Sequence, residues 1–96
     1  MELSELRKEI DSIDDQLVKL FCQRMDVAAR VAEYKKENDL PIYHPARERE
    51  KLRDVSEKAG SEMADYTRIL YATLFELSRS YQEKKLGEHH DLRTTG

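Results

Sequence analysis

From Leu3 onward, apolar residues fall at Leu6, Ile10, Ile13, Leu17, Leu20, Val27 and Val31 in alternating steps of three and four, with Arg24 filling the step the pattern skips. Such steps keep side chains on one face of an α-helix, so the spacing predicts one long helix with an apolar stripe. It should run to about Asn38, where "ENDLP" supplies a C-terminal stop and Pro41 and Pro45 bracket the break. A second helix opens at "HPARERE", with Pro45 suited to a first turn, and offers Leu52 and Val55 to a core before "KAGSE" and Gly60. A third spans about Met63 to Leu86 and carries Tyr66, Ile69, Leu70, Thr73, Leu74, Leu77 and Tyr81 on one face, with Gly87 marking its end. Tyr71, Phe75, Ser78 and Gln82 form another stripe beside that face. No two-residue alternation, internal repeat or low-complexity segment appears. The expected fold is therefore all-α, a long helix and two shorter ones over residues 1–86. Residues 87–96, "GEHHDLRTTG", form a polar tail expected to fray, or a linker remnant.

The first helix is too long for its own domain. At ~1.5 Å per residue, about 35 residues reach roughly 50 Å, whereas a compact chain of this size is about 30 to 35 Å across. Two shorter helices leave part of its stripe uncovered, which predicts burial against a second copy in an antiparallel two-fold homodimer. A plain antiparallel coiled coil without chemistry satisfies the same periodicity.

Composition narrows the classes. The 96 residues are 39% charged, 39% hydrophobic and 7% aromatic, a balance suited to narrow stripes on solvated helices. A net charge of −3 advertises neither nucleic acid nor an anionic membrane. There is no bilayer-length apolar run and no signal-peptide core, and the single cysteine, Cys22, excludes an intrachain disulfide; a cytoplasmic location is expected.

The charges that break the stripe carry more information. At about 100° per residue, Arg24 and Lys35 project within roughly 20° of the stripe's centre, and Arg7 lies on its edge. A single polar residue on a seam often fixes register, and Asp14 near the edge could pair with one cation. Two cations on the seam without an acid between them instead suggest an anionic ligand. Arg24 and Lys35 lie roughly 16 Å apart along the axis, a gap two long side chains can close, while Arg7 is roughly 25 Å from Arg24. If two antiparallel copies cross near Leu17 to Leu20, Arg7 of one chain falls beside the Arg24–Lys35 interval of the other. Arg47 and Glu48 in "ARERE" can face the end of the first helix, and Ser78 and Gln82, one turn apart, can donate into one pocket.

Taken together, "LRKEIDSIDDQLVKLFCQR", "VAARVAEYKK", "HPAREREKL" and "ELSRSYQ" resemble, in order and spacing, the all-helical chorismate mutases. The resemblance covers Leu3 to about Lys85 and implies an intertwined homodimer. By the same resemblance, Arg7 is the arginine lent by the partner chain and Arg24 the in-chain arginine that grips a carboxylate. Lys35 matches the lysine at the ether oxygen, Arg47 the second-helix arginine, and Glu48 the acid accepting from the substrate hydroxyl. Ser78 and Gln82 match the third-helix serine and glutamine. His44 departs from the pattern, since some members carry aspartate there.

The implied reaction is rearrangement of chorismate to prephenate, in phenylalanine and tyrosine biosynthesis, a one-substrate pericyclic step without nucleophile, metal or cofactor. Guanidinium forks suit a dianion, and donors at the breaking ether bond stabilise the charge that grows there. Two rivals stand beside it: an isochorismate pyruvate-lyase on the same scaffold, and a non-catalytic helical dimerisation or regulatory module. A metal site of His44, His89 and His90 lacks the spacing of a closed site, and Cys22 projects away from the stripe without an evident base.

Overall fold

A computed structural model describes residues 2–91 of the chain, with side chains through Gly87. It contains α1 (Leu3–Glu37), α2 (Pro45–Ala59) and α3 (Ala64–Asp91), and the described residues include no strand. The all-α expectation holds.

The first break is built by backbone hydrogen bonds. Asn38 caps α1, and its side-chain Nδ2 donates to the Tyr34 carbonyl at 2.8 Å. Asp39 turns left-handed at φ 55°, which lets Leu40 N–H donate to Lys35 O (2.7 Å) and Asp39 N–H to Lys36 O (3.3 Å). This pair of bonds is a Schellman stop, with an acid in the position glycine most often fills. Pro45 then occupies the first turn of α2, where its missing N–H costs nothing. At the second break Gly60 takes φ 86°, a conformation that disfavours any side chain.

The third boundary differs from expectation. α3 passes through Gly87 and continues to Asp91, four residues beyond the glycine read as its end. A lone glycine weakens a helix without stopping it when the turns on both sides still propagate. Residues 92–96 of the predicted tail lie outside the described residues.

α3 packs against both α1 and α2, whereas α1 and α2 do not pack on each other among the described residues. The small core consists of Ala29 and Ala32 from α1, Val55 from α2 and Phe75 from α3, joined by the buried polar residues Ser56, Ser78 and Gln82. Leu52 is only half-buried. The stripe on α3 that faces inward is thus Phe75, Ser78 and Gln82. The larger apolar face expected to make the core, with Tyr66, Ile69, Leu70 and Leu77, is exposed.

The α1 stripe is exposed too: Leu6, Ile10, Ile13, Leu17, Leu20 and Val27 all lie open to solvent in the single chain. The molecule measures 57 × 32 × 17 Å with a radius of gyration of 17.3 Å. A compact chain of this length would have a radius of about 12 to 13 Å. No described helix is long and apolar enough to cross a membrane.

Candidate active site

Where α3 crosses α1 and the start of α2, the three helices leave a cleft of ≈ 350 Å³. α1 contributes Arg24 and Lys35 to its lining, α2 contributes Arg47, Glu48 and Lys51, and α3 contributes Ser78, Arg79 and Gln82. His44, at the N-cap of α2, also lines it and makes no side-chain capping bond. Of the seven residues singled out from the sequence, six therefore converge on one cavity. Arg7 does not: it lies exposed on α1, outside that lining.

The two α1 cations that line the cleft are held by neutral groups. Arg24 Nη1 donates to Ser78 Oγ at 2.8 Å, and its guanidinium carbon sits 5.8 Å from the ring centres of both Tyr71 and Phe75. Those two rings meet edge to face at 6.2 Å, a corner that fixes the guanidinium through its π faces. Ser78 turns its own hydroxyl toward Met25 Sδ at 3.9 Å. The serine therefore accepts from Arg24 rather than donating into the cavity, contrary to the role its spacing suggested. Lys35 Nζ donates to the Ile42 carbonyl at 3.1 Å, reaching from the last turn of α1 to the connection before α2. Gln82 Nε2 donates to the Ala28 carbonyl at 2.9 Å, which fixes the amide and leaves its second N–H without a partner among the described residues.

The charges on the α2 side are balanced by acids. Arg47 Nη1 pairs with Glu50 at 2.8 Å, and Lys51 with Asp54 at 3.6 Å. Asp54 also pairs with Lys58, whose hydrogen bond is the main reason its carboxyl titrates below the usual value. Glu48 accepts from Arg79 Nη1, an ion pair that bridges α2 and α3. The Arg79 guanidinium titrates above its ordinary range, chiefly because of that hydrogen bond.

Arg24 and Lys35 alone among the lining cations meet no carboxylate within ion-pair distance among the described residues; Asp14 pairs with neither. Both are only half-exposed. Two partly desolvated positive charges face one cavity, an arrangement suited to a ligand with two anionic groups, and the neutral groups around them hold the charges in place without cancelling them.

The sequence reading missed Arg79 and Lys51, which line the cleft, and Tyr43, whose ring lies against the Arg79 guanidinium. Arg79 stood inside the quoted segment "ELSRSYQ", one residue from Ser78, but looked like one more surface charge on α3. Among the described residues no three or more His, Cys, Asp and Glu side chains cluster to hold a metal ion. The side chains of His89 and His90 lie outside the described residues. Cys22 is exposed and does not line the cleft.

Known proteins share parts of this sequence. The family profile of chorismate mutase type II matches residues 6–83. The chain is 51% identical to a bifunctional chorismate mutase/prephenate dehydratase of Aquifex aeolicus over 49 residues, 51% of this chain and 14% of that protein. It is 44% identical to a chorismate mutase of Methanocaldococcus jannaschii over 48 residues, covering 50% of this chain and 48% of the relative. A 4-amino-4-deoxychorismate mutase of Streptomyces venezuelae shares 32% identity over 65 residues, 68% of this chain and 59% of that protein. The chain thus spans only a fraction of the curated relatives it matches, and no solved structure matches it. With the three-helix order, the cationic cleft and a profile running from Leu6 in the first turn of α1 to Glu83 in α3, the chain belongs to the type II chorismate mutase family.

Proposed function

We propose that this domain rearranges chorismate to prephenate, binding its dianion in the cleft among α1, α2 and α3. The observation that carries the reading is the pair of half-buried cations, Arg24 and Lys35, that face the cavity with no carboxylate beside them. The substrate carries two carboxylates, and two unmatched positive charges suit them.

In this reading Arg24 grips one carboxylate through its guanidinium fork, pre-aimed by Ser78 and the aromatic corner. Arg47 leaves Glu50 to engage the substrate from the α2 rim, and Glu48 accepts from the ring hydroxyl. These contacts hold the enolpyruvyl side chain over the ring in a reactive conformer, so much of the acceleration comes from orientation. Lys35 and the second N–H of Gln82 point their donors at the ether oxygen. As the C–O bond breaks, negative charge grows on that oxygen, and fixed donors stabilise it more than they stabilise the ground state. No group on the protein needs to form a bond to the substrate.

To the same site we assign Arg7 of a second chain. Support comes from the open stripe of α1: an antiparallel copy crossing near Leu17 would cover Leu6 to Val27 and bring its own Arg7 to the Arg24–Lys35 interval. The active form would be a homodimer with two shared sites.

The test is direct. The purified chain should convert chorismate to prephenate, and Lys35→Ala should lower kcat by about 10²- to 10³-fold without loss of helical content. An inert chain, or a Lys35→Ala variant as active as its parent, contradicts the proposal. Isochorismate, assayed in parallel for pyruvate release, separates the lyase reading.

A further inference from the structure

Arg79 lines the cleft and holds the one acid in its lining, yet the chemistry above gives it no task. Unlike Arg47–Glu50 and Lys51–Asp54, which stay within α2, the Arg79–Glu48 pair joins two helices. It is also better shielded, with the two side chains 29% and 24% exposed against 56% and 65% for Arg47 and Glu50. Behind it the guanidinium lies over the ring of Tyr43, 4.7 Å from its centre. Tyr43 follows Ile42, whose carbonyl takes the Lys35 ammonium. Two neighbouring residues of the α1–α2 connection thus steady two cations of the cleft. A guanidinium gripped by an acid on one side and a ring on the other cannot swing aside easily.

Resting on the reading of Glu48 as the acceptor for the ring hydroxyl, we infer that Arg79 is a positioning residue for Glu48 that sets the site's preference for a neutral hydroxyl over an ammonium at that ring carbon. With Oε2 committed to Arg79, Oε1 is the oxygen left to accept from the substrate. A hydroxyl asks only for a lone pair, which Oε1 supplies. An ammonium in the same place would stand beside a fixed guanidinium, and the carboxylate that should balance it is already matched. An acid without Arg79 would be free to turn both oxygens to the ligand and would favour the cation.

The experiment compares chorismate with 4-amino-4-deoxychorismate, which carries the amine at that carbon, by kcat and KM on the full chain. The wild type should prefer the hydroxyl ring. Arg79→Gln should lower kcat/KM for chorismate by roughly 10-fold and shift the preference toward the amino ring by a similar factor, because one charge-assisted hydrogen bond and one repulsive charge go together. Arg79→Lys keeps the charge and should retain most of the preference. Tyr43→Leu, in the exposed connection, should move it in the direction of Arg79→Gln by a smaller factor, and this variant decides the matter if Arg79→Gln does not fold. A residue that merely braced the helices would slow both rings equally, so an unchanged ratio in active Arg79→Gln and Tyr43→Leu variants would overturn the inference, as would a wild type that prefers the amino ring. A wild type inert toward both rings would instead overturn the underlying activity, a failure visible before any variant is made.

Discussion

Arg24 shows best how a residue's environment decides its meaning. On the helical wheel it interrupts an apolar stripe; in the fold it is pinned by Ser78 and two rings while its charge stays unmatched. A structural cation would have found an acid, since removing one partner of a shielded pair is costly. Arg24→Leu separates the two meanings. We expect turnover to fall by at least about 10²-fold while thermal stability holds or rises, because an apolar side chain suits the stripe better than an unpaired charge. Unchanged turnover in a stabler variant would make Arg24 a residue of the seam and remove it from the site. Arg24 and Lys35 were legible in the sequence because they violate a strong period at two places. Arg79 was not legible: it violates nothing, and only the crossing of α2 over α3 shows that its neighbour is Glu48. The direction of the Ser78 hydrogen bond was hidden for the same reason, since spacing along one helix says nothing of what the next helix offers.

At the scale of elements, three helices and their order follow from the apolar period and the stop signals. The stop at Asn38 to Leu40 and the Pro45 start were readable because they depend on local backbone chemistry. The end of α3 was not, because a glycine lowers helix stability without dictating a break. That glycine gives a test: an added Cβ at Gly87 meets nothing within 4 Å. Gly87→Ala should therefore raise stability by about 0.5 to 1 kcal/mol, read as a higher denaturant midpoint with an unchanged slope. Destabilisation would mean that α3 does not continue through this position in solution. The choice of inward face on α3 was also beyond the sequence. Its larger apolar stripe looks like the core, yet the chain turns Phe75, Ser78 and Gln82 inward and leaves Ile69, Leu70 and Leu77 outside. Periodicity finds faces but cannot say which partner, in the same chain or another, each face meets.

For the whole molecule, the exposed faces of α1 and α3 leave four buried apolar residues among the described ones, Ala29, Ala32, Val55 and Phe75, which is too little core for an independent domain of this length. In the function proposed above, a second copy would cover the open stripes and bring its Arg7 to the site. Leu17→Glu, a charge placed where two α1 helices would cross, should shift sedimentation toward a monomer, lower stability and make activity depend on protein concentration. A variant that stays dimeric and fully active would place the interface elsewhere. The central claim, a site completed by a second chain, is tested most directly by complementation. Arg7→Ala and Arg24→Ala chains, each nearly inactive alone, are unfolded together and refolded as an equimolar mixture. Half of the dimers should then be mixed, each with one intact and one doubly altered site, so activity should return to about a quarter of the wild-type value. No recovery, with mixed dimers shown to have formed, would contradict the shared site.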